Sequence, residues 1–350
     1  MGKIRVAFMG FRHGHIGDVY RRLQKRDDAE IVAACEEDEP TRRALAAEGA
    51  YKITHTSFDA MLAEASADAI AVGDYYGKRG SVLIKALEHG CHVISDKPIC
   101  TRLEELDRIE NLARAKRPAR NAVHSAAGGL AVGCQLDMRD NAMTTAARLA
   151  IQAGEIGEVH AVSFGGQHPL MFGARPGWYF EPGKHGGTIN DIAIHAINCI
   201  PRITGRRFAA VNSARNWNAR LKEMPQFKDA AQMMLTMDNG CGVLGDVSYL
   251  MPDSFGYGNP LFWRFLFWGS AGVLDAASGG VTLYKNGEKT PRILPMPEAA
   301  AGQYLESFLN EIKGTRQSDE LSTQEVLAAT RITLMIQRAA DDQLTNQPLG

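Results

Sequence analysis

The sequence predicts an α/β domain with a parallel sheet, followed by an α+β domain with a large, mostly antiparallel open sheet. In the first third of the chain, short apolar runs alternate with stretches of helical spacing, which is typical of a parallel sheet with helices on both faces. Beyond residue 160, several apolar runs follow one another without helices and with hairpin-type turns. The length of 350 residues also favours two domains over one core.

The first strand–helix–strand unit defines the type of parallel sheet. Residues 3–9 form an apolar run that stops at Gly10, and residues 16–23 then have helical spacing. A second apolar run, residues 30–35, ends in Glu36. This is the layout of a Rossmann-type dinucleotide-binding unit. The glycine lets the backbone turn, the helix N–H groups can face a pyrophosphate, and the carboxylate can accept hydrogen bonds from ribose hydroxyls.

The glycine fingerprint of this unit is modified. In the expected pattern G-x-G-x-x-G, Arg12 and His15 stand at the second and third glycine positions. The turn therefore either binds a dinucleotide in a modified way or is a relic on a fold that no longer binds one. One hypothesis for a modified mode is that the Arg12 guanidinium pairs with the pyrophosphate.

The remaining elements of the first domain continue the alternation. Predicted strands cover residues 51–53, 67–72, 91–95 and 120–123, and predicted helices cover residues 39–48, 58–62, 81–88 and 101–115. Ser57 is the expected N-cap of the second of these helices. The dinucleotide-binding domain is therefore predicted to span residues 1–123.

The second domain, predicted for residues 124–350, is assigned to substrate binding and oligomerisation. Its predicted helices cover residues 138–153, 190–204, 303–313 and 323–340, and its predicted strands cover residues 160–164, 230–237, 242–249, 262–269, 272–275 and 281–285. The aromatic run at residues 262–268 is interpreted as a strand covered on both faces, with an oligomer interface as a second interpretation. Because an open sheet would expose an apolar face in a monomer, a homodimer or homotetramer is expected.

Composition excludes several classes of function. The formal net charge is -1 and no Lys/Arg-rich run occurs, so the chain has no electrostatic footprint for nucleic acid. No apolar stretch approaches the roughly 20 residues needed to cross a bilayer, and no secretory signal is recognised, so no membrane partner is expected. The 6 cysteines lack C-x-x-C spacing, which indicates reduced thiols in a cytoplasmic protein.

Ligands of an open parallel sheet bind outside the carboxyl ends of its strands, and this selects the candidate cofactor-binding residues. They are Gly10, Phe11, Arg12, His13, His15, Ile16, Glu36, Asp74, Tyr75, Asp96 and Lys97. Lys97 carries the most information, because it follows a buried run and Pro98 fixes the chain direction there. A lysine at this place is either a functional group or an amine that is paired with Asp96 or solvated.

Asp191 and His195 form a second candidate constellation. They are four residues apart on the predicted helix 190–204, and therefore one turn apart on one face. A neutral imidazole beside a carboxylate can act as a general base near pH 7. The same spacing also fits a surface or capping pair, or two metal ligands. Since His185 is the only candidate for a third ligand, no metal site is predicted.

A polar-aromatic loop precedes that helix and contains Trp178, Tyr179, Lys184 and His185. Sugars often lie against aromatic rings in such loops. Trp178 and Lys184 are therefore the predicted substrate-binding residues of this loop.

Five motifs together point to one protein family. They are the turn at residues 10–15, the pair Cys35–Glu36, residues 92–98 (HVISDKP), residues 154–159 (GEIGEV) and residues 186–195 (GGTINDIAIH). With these motifs in this order, the chain resembles over nearly its whole length the Gfo/Idh/MocA family of NAD(P)-dependent oxidoreductases, which includes glucose–fructose oxidoreductase and inositol dehydrogenase. The fourth and fifth motifs are more specific than the first.

The resemblance implies a role for each main candidate. Lys97 resembles the lysine of the family's E-K-P motif, which positions nicotinamide and substrate and assists proton movement. Asp191 and His195 resemble its D-x-x-x-H pair, in which the aspartate holds a substrate hydroxyl and the histidine is the acid and base. Glu36 resembles the ribose-binding acid, whose charge would repel a 2′-phosphate, so NAD is favoured over NADP.

Three features depart from the family pattern. Asp96 stands where the family has glutamate, and Arg12 stands where it has a glycine. Residues 74–76 and Arg79 stand where the family usually has a Thr-Pro-Asn-like loop and a histidine. The turn that carries Arg12 and the segment with residues 74–76 and Arg79 would both flank the cofactor.

The resemblance implies an NAD(P)-dependent oxidoreductase that acts on CH–OH groups. Hydride would pass between the nicotinamide and a hydroxyl-bearing carbon of a sugar, cyclitol or related polyol. Two alternatives stay open. One is a non-catalytic Rossmann-fold binding protein, and the other is an enzyme that uses NAD transiently in a net elimination or hydrolysis.

Overall fold

The computed structural model describes residues 2–115 and 129–349, and the chain divides into two compact units. The first unit comprises Met1–Gln135, Gly183–Gly186 and Gly302–Thr330, and the second comprises Leu136–Pro182, Gly187–Ala301 and Arg331–Gly350. The predicted domain boundary at residue 123 lies outside the described residues and stays a prediction.

The first unit contains a five-stranded parallel sheet. Its strands are β1 (Ile4–Met9), β2 (Ala29–Cys35), β3 (Ala69–Val72), β4 (His92–Ser95) and β5 (Val132–Cys134). Their order is β2-β1-β3-β4-β5. The strand order therefore reverses at β1, with β2 on one side of it and β3 to β5 on the other. A crevice at the carboxyl ends of such a switch point is where open α/β sheets bind ligands. The predicted Rossmann-type parallel sheet is confirmed.

Helices occupy both units. Those of the described residues are α1 (Ile16–Leu23), α2 (Glu39–Glu48), α3 (Phe58–Glu64), α4 (Tyr76–Glu88), α5 (Leu103–Arg114), α6 (Ala142–Gln152), α7 (Ile194–Thr204), α8 (Gln303–Lys313) and α9 (Thr323–Asp341). Ser57 caps α3 as predicted, since its hydroxyl accepts a hydrogen bond from the Ala60 N–H. Across the described part of the chain, no helix is both long enough and apolar enough to span a bilayer.

Three predicted elements of the first unit need comment. Helix α4 begins at Tyr76 and not at residue 81, because Gly77 and Gly80 weaken the helical pattern without preventing the helix. Residues 51–53 form no strand, and the Tyr51 ring instead packs 5.0 Å from the ring centroid of Phe11. The strand predicted at residues 120–123 lies outside the described residues.

The second unit contains a nine-stranded, mostly antiparallel sheet, as predicted. Its strands are β6 (Val159–Pro169), β7 (Phe208–Trp217), β8 (Ala230–Met237), β9 (Gly242–Met251), β10 (Trp263–Gly269), β11 (Gly272–Ala277), β12 (Gly280–Lys285), β13 (Arg292–Leu294) and β14 (Thr345–Pro348). Their order is β13-β12-β11-β10-β6-β9-β8-β7-β14, and only β6 and β9 pair in parallel among these described strands. The sequence did not predict β7, β13 or β14.

The aromatic strand β10 corrects one interpretation. In this chain Trp263, Phe265 and Phe267 are buried, but Trp268 on the opposite face is 48% exposed. The strand is therefore covered on one face and not on both. Other apolar side chains, including Leu244, are exposed on the same sheet and face solvent. The alternation arises because successive strand residues point to opposite faces.

Candidate active site

The turn after β1 is hydrogen-bonded to the ends of the neighbouring strands β2 and β3. Gly10 has φ +80°, and a Cβ added there would lie 2.8 Å from the Asp74 Cβ, so only glycine fits. The Gly10 N–H donates to the Cys35 carbonyl at 2.9 Å, and the His13 N–H donates to the Gly73 carbonyl at 3.1 Å. The first glycine of the fingerprint is thus retained for a steric reason.

Glu36 lies at the end of β2 and is fully buried. Its Oε2 accepts a hydrogen bond from the Phe11 N–H at 2.7 Å, and its Oε1 accepts one from the Asp38 N–H at 2.8 Å. Burial raises the pKa of Glu36 above its usual value, although these two N–H groups act in the opposite direction. Each carboxylate oxygen has two lone pairs, so both oxygens retain acceptor capacity for a ligand hydroxyl.

Arg12 lies among three carboxylates. Its Nε is 3.8 Å from Glu36 Oε1 and 3.5 Å from Asp74 Oδ1, and its Nη2 is 3.2 Å from Asp38 Oδ1. The guanidinium also lies 5.2 Å from the ring centroid of Tyr75. The side chain that replaces a fingerprint glycine therefore neutralises the acidic groups around the turn.

Two lysines add positive charge to the same region. Lys78 Nζ lies 3.1 Å from Asp74 Oδ2, and Lys184 Nζ lies 5.1 Å from the ring centroid of Tyr75. Lys184 and His185 therefore lie beside the candidate cofactor-binding residues of the first unit, which the sequence did not predict. The His185 ring lies 5.5 Å from that of Tyr76.

Asp96 is a fully buried carboxylate at the end of β4. Its Oδ2 accepts a hydrogen bond from Arg79 Nη2 at 2.9 Å, and both side chains of this ion pair are 0% exposed. His13 Nδ1 also contacts Oδ2, and His15 Nδ1 lies 3.3 Å from Oδ1. Although burial disfavours the charged form, His13 and Arg79 hold the pKa of Asp96 well below its usual value.

Arg79 also organises the backbone of the loop that carries Lys97. Its Nη1 donates to the carbonyls of Asp96 at 3.0 Å, Lys97 at 2.6 Å and Pro98 at 3.1 Å. Its Nε donates to the Asp74 carbonyl at 2.8 Å. One guanidinium thus connects the loops that follow β3 and β4.

His13 is a neutral, buried link between Asp96 and Tyr76. Burial lowers the pKa of His13 to about 4, so the ring is uncharged at pH 7. A carboxylate only accepts hydrogen bonds, so Nδ1 carries the ring proton. The other ring nitrogen then accepts a hydrogen bond from the Tyr76 hydroxyl at 3.2 Å.

The side chains of His13, His15 and Asp96 also have the composition of a metal site. One ligand atom from each lies within 4.8 Å of the others. The buried Arg79 guanidinium, which already pairs with Asp96, would oppose a cation at that position. We therefore interpret the group as a hydrogen-bonded network.

Lys97 is buried, with 4% of its surface exposed. Its Nζ lies 5.9 Å from the ring centroid of Tyr76, over which the Arg79 guanidinium also lies at 4.5 Å. The interpretation of Lys97 as a solvated amine is therefore wrong. Asp96 is ion-paired to Arg79, and its pairing with Lys97 stays a prediction.

The second unit positions Asp191 at an irregular helix start. Residues Ile189–Ala193 form a π-helical turn that continues into α7. Gln337 Oε1 accepts hydrogen bonds from the N–H groups of Ile189 at 3.1 Å and Asn190 at 3.2 Å. Gly187 has φ +98°, and a Cβ there would lie 2.2 Å from that oxygen. Glycine is therefore required where the chain enters the helix.

Asp191 and His195 lie on this π–α helix, both buried. The Tyr249 hydroxyl, from the end of β9, donates to Asp191 Oδ2. Burial, and then the neighbouring Asp191 charge, raise the pKa of Tyr249 well above its usual value, so the hydroxyl keeps its proton. The His195 ring lies 5.9 Å from Trp263 in an edge contact. A π turn inside a helix is frequent at functional sites.

The aromatic residues of the predicted substrate loop pack together in the second unit. Trp178 stacks on Tyr179 with ring centroids 4.3 Å apart, and both are buried. Arg175 lies beside them, with Cζ 4.8 Å from the Tyr179 ring centroid and 5.1 Å from that of Tyr249. The sequence did not single out Tyr249 or Gln337, because each contacts the site from a distant part of the chain. Arg175, just before Trp178, was also not singled out.

A parallel sheet with a glycine turn after its first strand and a buried acid after its second defines a Rossmann-type dinucleotide-binding protein. The model of an oxidoreductase family with an NAD-binding Rossmann fold matches residues 4–120. The model of the GFO/IDH/MocA C-terminal domain matches residues 144–275. The chain belongs to the Gfo/Idh/MocA family of oxidoreductases, as its motifs indicated. No curated protein sequence matches it.

Solved structures share the fold over the full length of the chain. A protein from Thermotoga maritima, provisionally named an oxidoreductase, has a TM-score of 0.80 and 24% identity, with 98% of this chain and 100% of that chain covered. The WlbA dehydrogenase from Bordetella pertussis, solved with NADH and UDP-GlcNAcA, has a TM-score of 0.76 and 21% identity, with 99% of each chain covered.

A third neighbour was solved with a different ligand. An oxidoreductase from Agrobacterium radiobacter, in complex with NAD+, L-tartaric acid and magnesium, has a TM-score of 0.75 and 15% identity. The match covers 99% of this chain and 98% of that chain. At these identities the likeness establishes the shared fold.

The buried ion pair gives the first prediction. Replacing one partner, as in Arg79→Met or Asp96→Asn, should lower the free energy of unfolding by about 3–5 kcal/mol, because the other partner loses its buried counter-charge or donor. The double variant should lose less than the sum of the two. Urea denaturation followed by circular dichroism measures both.

Arg264, which pairs with Asp275 at the surface, provides the control. Its replacement by methionine should cost about 1 kcal/mol or less. Equal losses for Arg79→Met and Arg264→Met would contradict the structural role of the buried pair.

Proposed function

We propose that the protein is an NAD-dependent dehydrogenase that oxidises a hydroxyl-bearing carbon of a sugar, cyclitol or related polyol. The observation that carries this proposal is the Asp191–Tyr249 hydrogen bond on the helix that also bears His195. A buried carboxylate fixed by a protonated tyrosine is suited to hold one substrate hydroxyl, and a histidine in the next helical turn is suited to exchange the proton of an adjacent, reacting hydroxyl.

The residues of the first unit fit a dinucleotide. The retained Gly10 keeps the tight turn before α1, whose N-terminal N–H groups favour an anion. Both Glu36 oxygens have acceptor capacity left for ribose hydroxyls. Arg12 and Lys184 supply positive charge for the pyrophosphate. The proposed cofactor-binding residues are thus those predicted from the sequence, with Lys184 added.

Each catalytic residue has a distinct proposed role. When NAD+ is bound, its nicotinamide accepts the hydride released from the substrate carbon. Asp191 accepts a hydrogen bond from a neighbouring hydroxyl of the substrate and so orients the molecule. His195 removes the proton of the reacting hydroxyl as the hydride leaves its carbon, so that a carbonyl forms. Lys97, buried beside Tyr76, positions the substrate and assists proton movement.

NAD is proposed over NADP because the buried Glu36 carboxylate would repel a 2′-phosphate. Arg12 works against this preference, since its guanidinium offsets part of that charge. The sugar-like and acidic ligands of two structural neighbours, UDP-GlcNAcA and L-tartaric acid, support a polyhydroxylated substrate. The exposed apolar face of the large sheet supports the expected homodimer or homotetramer.

A non-catalytic binding protein is the second candidate. The observation that favours it is the position of Arg12 against Glu36, which places a side chain over the proposed ribose acceptor. A dinucleotide that used Glu36 would have to displace the guanidinium from three carboxylates, and this would disfavour cofactor binding. An enzyme that uses NAD transiently in an elimination or hydrolysis would use the same residues and differ in its products.

The role of Arg12 gives a second prediction. In Arg12→Met, the dissociation constant for NADH should rise about tenfold or more, because three carboxylates then repel the pyrophosphate without compensation. Arg12→Lys should retain part of the affinity. Calorimetric titration with NADH measures the constants, and Arg43→Met, at an exposed pair, is the control. Unchanged binding in Arg12→Met would remove Arg12 from the cofactor site.

The acid–base role of His195 gives a third prediction. His195→Ala should bind NADH as the wild type does but lose about 100-fold or more of its turnover, since general acid–base catalysis typically contributes that much. Absorbance of the reduced cofactor measures turnover on a panel of sugars and cyclitols. His160→Ala, at an exposed histidine of β6, is the matched control. Retained turnover in His195→Ala would refute the role.

A further inference from the structure

Arg175 is a partly buried cation whose partners are neutral. Its Nε donates to the Leu170 carbonyl at 2.7 Å. Its Nη2 donates to the Pro169 carbonyl at 3.0 Å and to the Tyr257 hydroxyl at 2.9 Å. Across residues 2–115 and 129–349, no carboxylate oxygen lies within 4.0 Å of this guanidinium. The guanidinium therefore has capacity for a direct ion pair with a ligand carboxylate.

The guanidinium is held in a fixed orientation. Two tyrosine rings, Tyr179 and Tyr249, lie on it at 4.8 Å and 5.1 Å from Cζ to the ring centroids. The two carbonyls and the Tyr257 hydroxyl accept hydrogen bonds from Nε and Nη2. The remaining nitrogen, Nη1, has no acceptor in the described part of the chain. A guanidinium with a fixed plane and unused N–H groups on Nη1 is preorganised to donate to a carboxylate oxygen through that nitrogen.

The same residues connect Arg175 to the proposed catalytic helix. The ring of Tyr249 packs on the guanidinium, and the hydroxyl of Tyr249 donates to Asp191 Oδ2. The ring and the hydroxyl that make these two contacts belong to one side chain. The cation therefore lies one side chain away from the carboxylate that is proposed to hold a substrate hydroxyl.

We propose that Arg175 binds a carboxylate of the substrate, so that the substrate class is a hydroxy acid of the sugar or polyol type, such as an aldonic or uronic acid. This inference rests on the proposed function. Nη1 of Arg175 donates to the substrate carboxylate, and Asp191 accepts a hydrogen bond from a hydroxyl of the same molecule. Neutral sugars and cyclitols, which leave the guanidinium without a counter-ion, are poorer substrates.

Matched pairs of compounds test this substrate class. Galacturonate is compared with galactose, gluconate with glucitol, and tartrate with threitol, so that each pair differs in its carboxylates. With NAD, the wild type should show the higher kcat/KM for the acid of at least one pair. Binding of the same compounds to the NADH complex is measured by calorimetry, which is independent of turnover.

Variants distinguish a binding role of Arg175 from a structural one. Arg175→Met should lower kcat/KM for the acid about 10- to 100-fold, the value of a charge-assisted hydrogen bond, and leave the neutral partner within about threefold. Arg175→Lys keeps the charge and serves if the methionine variant does not fold. Arg264→Met, at an arginine already paired with Asp275, should change neither compound.

Each outcome decides between the claims. Equal use of acids and neutral compounds by the wild type, failure to bind any acid of the panel, or equal loss for both compounds in Arg175→Met overturns the inference and leaves the dehydrogenase proposal standing. Failure to bind NADH together with no turnover on any compound overturns the proposed function itself.

Discussion

The arrangement of the candidate cofactor-binding residues depends on one buried charge, that of Asp96. The Asp96 carboxylate lies at the end of β4 with no exposure to solvent, and such a group is tolerated only when donors and counter-charges surround it. Arg79 supplies the counter-charge and also fixes three consecutive carbonyls around Lys97. His13 completes the shell and links it to Tyr76. The position of the proposed catalytic lysine therefore depends on one ion pair between α4 and β4.

The departures from the family pattern become coherent through these contacts. An aspartate in place of glutamate is one methylene shorter, and in this chain it contacts Arg79 of helix α4 and His13 of the turn after β1. Arg12, in place of a glycine, neutralises the acids that follow β2 and β3. The charges of the residues that depart from the family pattern thus offset one another, Arg79 against Asp96 and Arg12 against Asp74. In the second unit, Arg175 and Tyr249 perform a comparable task around Asp191.

Much of the fold was predictable because it depends on local patterns. Helices α1, α2 and α8 have the predicted bounds. Helices α1 and α8 have a clear apolar spacing, and α2 lies between an Asp38 N-cap and a Gly49 C-cap. The three-residue strand β5 was missed because so short a run has no pattern of its own. The Asp191–Tyr249 bond joins residues far apart in the chain, so no local signal reveals it. Arg79 was noticed only as a departure, because its buried partner becomes visible when the sheet forms.

The claim that this chain is a dinucleotide-dependent enzyme depends on whether its modified turn still binds the cofactor. Calorimetric titration of the purified wild-type protein with NADH, and then with NADPH, tests this most directly. The account predicts saturable binding of one NADH per chain and weaker binding of NADPH, because Glu36 disfavours a 2′-phosphate. No binding of either compound at about 1 mM, the upper end of usual KM values, would contradict it and favour the non-catalytic alternative.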